Sequence, residues 1–170
     1  MTLMILRNAL LILSFCMLAN NGVLFAEQIP QADRVVVKKA QKKLILFRNG
    51  VALKEYSIAL GPRPQGRKQQ EGDERTPEGS YVLDFKNPDS DYHKSIHISY
   101  PNQQDLQRAA ALGVNPGGSI MIHGTPNEAE LPESLIQSFN WTDGCIAVTN
   151  REMDEIWLAV REGTPIDILP

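Results

Sequence analysis

Cys145 stands in the stretch Trp141-Thr142-Asp143-Gly144-Cys145-Ile146-Ala147-Val148, and His123 closes the run Ile120-Met121-Ile122-His123-Gly124. Each segment puts a reactive side chain at the edge of an apolar run, beside a glycine. A thiol of pKa about 8.5 is a poor nucleophile at neutral pH unless a histidine or a cation stabilises its thiolate. His123, 22 positions upstream, is the candidate general base if the two strands are neighbours. A glycine before the nucleophile permits the tight turn that presents the thiol. The N–H groups of such a turn, Gly144 among them, are candidate oxyanion donors.

Plainer uses of the same residues stand beside this one. A free cysteine is often a buried small hydrophobe, and a histidine at a strand end is often only hydrogen-bonded scaffolding. His93 and His97 have the i, i+4 spacing of two metal ligands on one helix face. However, residues 94–100 read as a strand, and with one cysteine and no second pair no metal site is expected. On that strand His97 shares a face with Ser95 and Ser99, so it is a candidate cleft residue or a solvent-facing one.

The first 26 residues carry one charge, Arg7, then an apolar run over residues 9–18, a polar Asn20-Asn21-Gly22 break, and Ala26. This is the order of a secretory signal peptide, and the run is shorter than the ~20 residues of a membrane span. The expected mature chain therefore begins near Glu27, spans residues 27–170 as one domain, and has no stable membrane span. Cys16 leaves with the leader, so Cys145 is the only mature thiol and has no internal disulfide partner. A net charge of -3 argues against a nucleic-acid ligand.

The elements that must position the pair are mostly strands. Val35-Val36-Val37 and Leu44-Ile45-Leu46-Phe47 are strand-like, and Asn49-Gly50 is a two-residue hairpin signal. The next strand alternates with a slip between Leu53 and Tyr56, so the domain opens as a β-meander. Residues 61–76 form a polar loop, long enough to suggest a lid or binding loop, or else a solvated surface of mixed charge. Strands are expected over 80–85 and 94–100, and a helix over 105–112 that starts at Asp105 and stops at Gly113. A short strand over 119–123 and a helix over 131–139 follow. Thr149 with Glu152 three later forms a capping box ahead of Met153, Ile156, Trp157 and Val160 at helical spacing, with Gly163 as the stop. Residues 166–169 read as a last strand.

His123-Gly124, seventeen further residues, and then Thr142-Asp143-Gly144-Cys145-Ile146 resemble the L,D-transpeptidase catalytic domain, a family marked by His-Gly followed by Ser/Thr-x-Gly-Cys. Leu60-Gly61, the run from Gly72 to Tyr81 and Ile98-Ser99-Tyr100-Pro101-Asn102 also fit, in order, so the likeness runs from Asp33 to Leu169. It departs at Asp143, where the family commonly has His or Arg, and at Ala147, where an Arg is frequent. By simple electrostatics both departures disfavour the thiolate.

The resemblance implies a mainly β fold with a few helices, of the L,D-transpeptidase β-sandwich type. It implies a monomer, exported to the periplasm or cell envelope, acting on peptidoglycan stem peptides without metal or organic cofactor. Cys145 would be the nucleophile, His123 the general base and acid, and Gly144 an oxyanion donor. Thr142, Gly124, Asp143 and His97 would contact substrate. The implied reaction passes a tetrapeptide acyl group through a thioester to an amine, giving a 3–3 cross-link. The alternatives are an L,D-peptidase that hydrolyses the thioester or detaches wall-linked groups, and a non-catalytic peptidoglycan-binding module.

Overall fold

The computed structural model describes residues 30–170; the expected leader over residues 1–26 lies outside the described residues. Eight strands form one sheet. They are β1 (Arg34–Lys38), β2 (Lys43–Arg48), β3 (Val51–Ser57), β4 (Gly79–Ser90), β5 (His93–Ile98), β6 (Met121–His123), β7 (Ile146–Ala147) and β8 (Thr164–Leu169). Their order is β3-β2-β1-β8-β4-β5-β6-β7. Helices α1 (Gln103–Leu112), α2 (Glu133–Ile136) and α3 (Asn150–Ala159) complete the domain.

The opening meander forms as expected. Asn49 and Gly50 take φ of 51° and 77°, the left-handed pair that joins two strands without splaying them. The slip in β3 is a β-bulge: Ala52 faces Phe47 and Lys54 faces Leu46, which leaves Leu53 as the extra residue. Beyond the bulge Tyr56 and Ile58 turn inward and are buried. β1 lies antiparallel to β2 and parallel to β8, the two pairings together burying Val35, Val36 and Val37.

The two ends of the sheet meet. Just past β3, Ala59 exchanges both backbone hydrogen bonds with Ala147 of β7, each at 2.9 Å. The sheet therefore curls on itself around a core that includes Leu44, Leu46, Leu83, Ile96, Ile98, Ile122, Ile146 and Ile166. α3 seals this core from the side of β5 and β6, burying Met153, Ile156 and Ala159. Burying Met153 and Ile156 contributes about 1.5–3 kcal/mol each, and Ala159 about 0.8. At its start Thr149 accepts from the Glu152 amide while the Glu152 side chain returns to the Thr149 N–H, the expected capping box.

Several boundaries differ from the sequence reading. α1 begins at Gln103 with Asn102 as its cap, because Asp105 is the third residue of a capping box rather than the cap itself. α2 is one turn long, and α3 ends at Ala159, where Val160 turns extended, so Gly163 instead shapes the turn into β8. β4 runs on to Ser90 through two register shifts against β5.

Most of the 61–76 loop is exposed, as expected of a solvated surface of mixed charge, but a few of its residues anchor it from within. Lys68 and Thr76 are buried, Gly61 packs against the backbone of Glu74 and Thr142, and no residue of the loop lines the Cys145 cleft.

Candidate active site

β6 and β7 run side by side in parallel, with Ile122 opposite Ile146 and His123 opposite Ala147. Continuing that register by one residue sets Cys145 beside Met121. Alternation then sends Ile122 and Ile146 into the core and Met121, His123 and Cys145 to the other face. All three line one cleft of about 300 Å³, together with Asp89, Ser90, Asp91, Tyr92, Ser119, Trp141, Thr142 and Asp143. The nucleophile and base candidates are thus diagonal neighbours on one sheet face.

The turn before Cys145 requires its glycine. Gly144 has φ of 120°, and a Cβ there would lie 2.5 Å from the Arg75 carbonyl oxygen. Thr142 is 4% exposed. Its hydroxyl donates to the Cys145 carbonyl at 2.8 Å and accepts the Gly144 N–H at 3.3 Å, closing the turn on itself. Thr142 therefore works as the clasp of the turn as well as a wall of the cleft. The Gly144 N–H, expected to hold an oxyanion, points at Thr142 through a long bond, whereas the Cys145 N–H meets no acceptor among the described residues. The thiol is flanked by the Met121 N–H at 3.4 Å and the Ser119 carbonyl at 3.6 Å.

His123 is 4% exposed and held on all sides. Its Nδ1 lies 2.7 Å from the Gly124 carbonyl, an atom that only accepts, so Nδ1 carries the proton and Nε2 is left with its lone pair free. The Tyr92 ring tilts across the imidazole at 4.6 Å and the Trp141 ring meets it edge-on at 5.5 Å. The Gly124 carbonyl is fixed from behind. Asn150 Oδ1 fills the place where a Gly124 Cβ would sit, and accepts the Thr125 N–H at 2.8 Å and its hydroxyl at 3.0 Å. Glu133 of α2 in turn accepts the Asn150 N–H at 2.6 Å. Gly124 thus serves through its carbonyl and its lack of a side chain, and does not line the cleft.

Burial dominates the electrostatics. It pushes the Cys145 thiol up, and the Asp143 carboxylate adds to this, while the Met121 N–H and the Lys68 ammonium pull the other way. Burial likewise pushes the His123 imidazole down, partly offset by its bond to Gly124. Both shifts favour a neutral thiol and a neutral imidazole in the resting site.

His97 stands apart. Its Nδ1 contacts Asp84 at 2.6 Å, and it is not in the cleft wall. His93 binds Asp154 at 2.8 Å, and no group of three or more His, Cys, Asp or Glu among the described residues is placed to hold a metal ion. Tyr92, Ser119, Asn150 and Glu133 went unread in the sequence, since only the fold brings them to the pair. Trp141 sat beside the motif, with nothing in its spacing to mark it as a wall of the imidazole.

Comparison with known proteins places this geometry. Over 105 residues the chain is 36% identical to YafK of Escherichia coli K12, named for the L,D-transpeptidases, a match covering 61% of this chain and 33% of that protein. The helical cell shape determining protein Pgp2 of Campylobacter jejuni superposes with a TM-score of 0.61 at 29% identity, over 79% of this chain and 46% of that one. The chain thus spans less than half the length of these relatives. The Mycobacterium smegmatis L,D-transpeptidase shares the fold, with a TM-score of 0.53 at 14% identity over 81% of this chain and 58% of that one. The model of the L,D-transpeptidase catalytic domain matches residues 32–168, and the chain belongs to that family.

Proposed function

We propose that the chain is a cysteine L,D-transpeptidase of the cell envelope, acting on peptidoglycan stem tetrapeptides. The observation that carries this reading is the convergence of Cys145 and His123 on one sheet face of one cleft, with the imidazole Nε2 left free as a base.

His123 Nε2 takes the thiol proton as Cys145 attacks the carbonyl of the third stem residue. The Cys145 N–H takes the developing oxyanion, joined by the Gly144 N–H once it swings off Thr142. The C–N bond breaks, the imidazolium gives its proton to the leaving D-alanine amine, and a thioester remains. A side-chain amine of a second stem attacks that thioester, loses its proton to His123 and expels the thiol, which gives a 3–3 cross-link.

Asp89, Asp91 and Asp143 at the cleft, none of them ion-paired among the described residues, favour an ammonium-bearing acceptor over water by drawing it to the rim. Hydrolysis is the second reading, and the likeness to Pgp2, named for cell shape, supports it, since trimming stems shapes a wall as cross-linking does.

Mass spectrometry of products from purified disaccharide-tetrapeptide tests both. Cross-linked dimers support the transferase, and loss of D-alanine without dimers supports the hydrolase. An unchanged substrate favours a binding module. A Cys145→Ala protein that retained turnover would overturn the thioester mechanism.

A further inference from the structure

The 61–76 loop contributes nothing to the cleft wall, yet it is held by buried charge. Lys68 is 5% exposed. Its Nζ donates to Asp73 Oδ1 at 2.9 Å and to the Gln70 carbonyl at 3.1 Å. Asp73 also accepts the amides of Gln69 at 2.7 Å, Gln70 at 3.2 Å and Arg75 at 3.1 Å. A second buried ammonium, Lys39, ties the loop to the end of β1 at two points, the Gly66 carbonyl at 2.7 Å and the Thr76 carbonyl at 3.0 Å, and pairs with Glu78 just beyond it at 2.9 Å. Removing an ammonium from water costs several kcal/mol unless its partners are well placed, so two such groups gripping one loop, one from within and one from the end of β1, mark a segment whose exact shape matters.

That shape bears on the nucleophile from two sides. The knot around Asp73 delivers the Arg75 carbonyl against Gly144, within 2.5 Å of where a Cβ would stand. On its other flank the Glu71 N–H donates to the Asn115 carbonyl at 2.8 Å, and Asn115 Nδ2 donates to the Glu71 carboxylate at 2.8 Å. Asn115 opens the short segment leading to Ser119 and Met121, the two residues that contact the thiol. The loop therefore braces both chain segments that hold Cys145.

We infer that Lys68, clasped by Asp73, is a positioning residue for Cys145, and keeps the 61–76 loop as a rigid brace that sets the Arg75 carbonyl against the Gly144–Cys145 turn. The inference rests on the proposed role of Cys145 as nucleophile. Lys68 is the cation that partly offsets the effects of burial and Asp143 on the thiol. The other charged groups around it, Arg67, Asp105 and Arg108, share with it a separate cavity of about 250 Å³. Arg108 is paired to Asp105 there.

The test is the pH dependence of Cys145 alkylation by iodoacetamide in the full chain, which needs no substrate and so stands or falls apart from the proposed reaction. Lys68→Met is expected to slow alkylation at pH 7 by about three- to tenfold and to move the midpoint of the rate profile upward. In stem-peptide turnover it is expected to lower kcat with KM within twofold, because the loop does not line the cleft. A folded Lys68→Met protein, verified by circular dichroism, whose alkylation rate and midpoint match the parent would overturn the inference. If Lys68→Met does not fold, Asp73→Asn is read instead. It leaves the cation but opens the clasp, and at least a threefold change in alkylation is expected; an unchanged rate is equally fatal.

Discussion

Replacing Thr142 by valine keeps the shape of a side chain that is 4% exposed while deleting its hydroxyl. The Thr142 amide, which donates to the Leu60 carbonyl at 3.1 Å, is untouched, so the chain entry to the turn stays in place. What is lost is the 2.8 Å bond to the Cys145 carbonyl and the 3.3 Å bond from the Gly144 N–H. A part-buried carbonyl left without its donor falls toward the low end of about 1–3 kcal/mol, and loss of the longer bond adds to it, so a loss of about 2 kcal/mol is expected. For a folded domain of this size that corresponds to a drop in Tm of roughly 4–8 °C. The larger effect is on rate. The clasp holds the turn that aims the thiol, and a misplacement of about 1 Å can cost on the order of 100-fold in turnover. Thr142→Ser, which keeps the hydroxyl, is expected to recover most of both. Thermal melts by circular dichroism with single-turnover product analysis read the two effects separately. A valine variant that melts within about 2 °C of the parent and turns over within twofold of it would show that the hydroxyl does not organise the turn.

Asp143→Asn removes a carboxylate that disfavours the Cys145 thiolate after burial has already done so, so the alkylation midpoint is expected to move down. The side chain is exposed and screened, so the rate at pH 7 is expected to rise only about two- to threefold; a slower rate refutes the assignment. Asn150→Ala frees the Gly124–Thr125 segment behind the imidazole, and kcat is expected to fall at least about tenfold with KM little changed, because Asn150 lies outside the cleft wall. Equal losses in kcat and binding would argue against a positioning role. Burial pushes Asp73 up, but the bonds from Gln69, Lys68, Gln70 and Arg75 outweigh it and hold its carboxyl below the usual 3.8. Its stabilising contribution is therefore complete above that value and is lost as pH falls through the lower folded-state one. Melts between about pH 2 and 6 are expected to show a flatter acid limb for Asp73→Asn than for the parent.

The chemistry was more legible than the architecture because it is written locally. Gly144 before Cys145 and the His123-Gly124 pair are signals of adjacent residues. So are the Asn49-Gly50 hairpin and the Thr149 capping box, and even the β3 bulge left its trace in the slip between Leu53 and Tyr56. The parallel β1–β8 pairing and the Ala59–Ala147 junction that closes the sheet join residues far apart in the chain, and no short pattern encodes them. The same limit left the 61–76 loop half read. Its charges have the composition of the solvated surface that most of it is, but Lys68 meets Asp73 inside the fold and Lys39, just past β1, meets Glu78, just before β4. Alternation left His97 as either a cleft residue or a solvent-facing one; the structure places it outside the cleft wall, and only the bulged β4 reveals Asp84 as its partner.

The resting site holds its proton on sulfur, and this bears on the order of events in the proposed reaction. Burial raises the thiol and lowers the imidazole, so a preformed thiolate–imidazolium pair is disfavoured from both sides. Proton transfer then has to accompany attack on the substrate carbonyl, when the sulfur is losing electron density and the oxyanion donors are engaged. In such a site the tautomer of His123 matters more than its charge. The Gly124 carbonyl, held by Asn150 and Glu133, keeps the proton on Nδ1 and the Nε2 lone pair free. A free thiolate reacts with any electrophile that reaches it, whereas a thiol activated only as substrate binds is spared such encounters. The absence of an arginine two positions beyond the nucleophile, where Ala147 is buried in the sheet closure, is consistent with that economy. In the proposed reaction, Cys145 would trade standing reactivity for geometry, set by Thr142 on one side and Asn150 on the other.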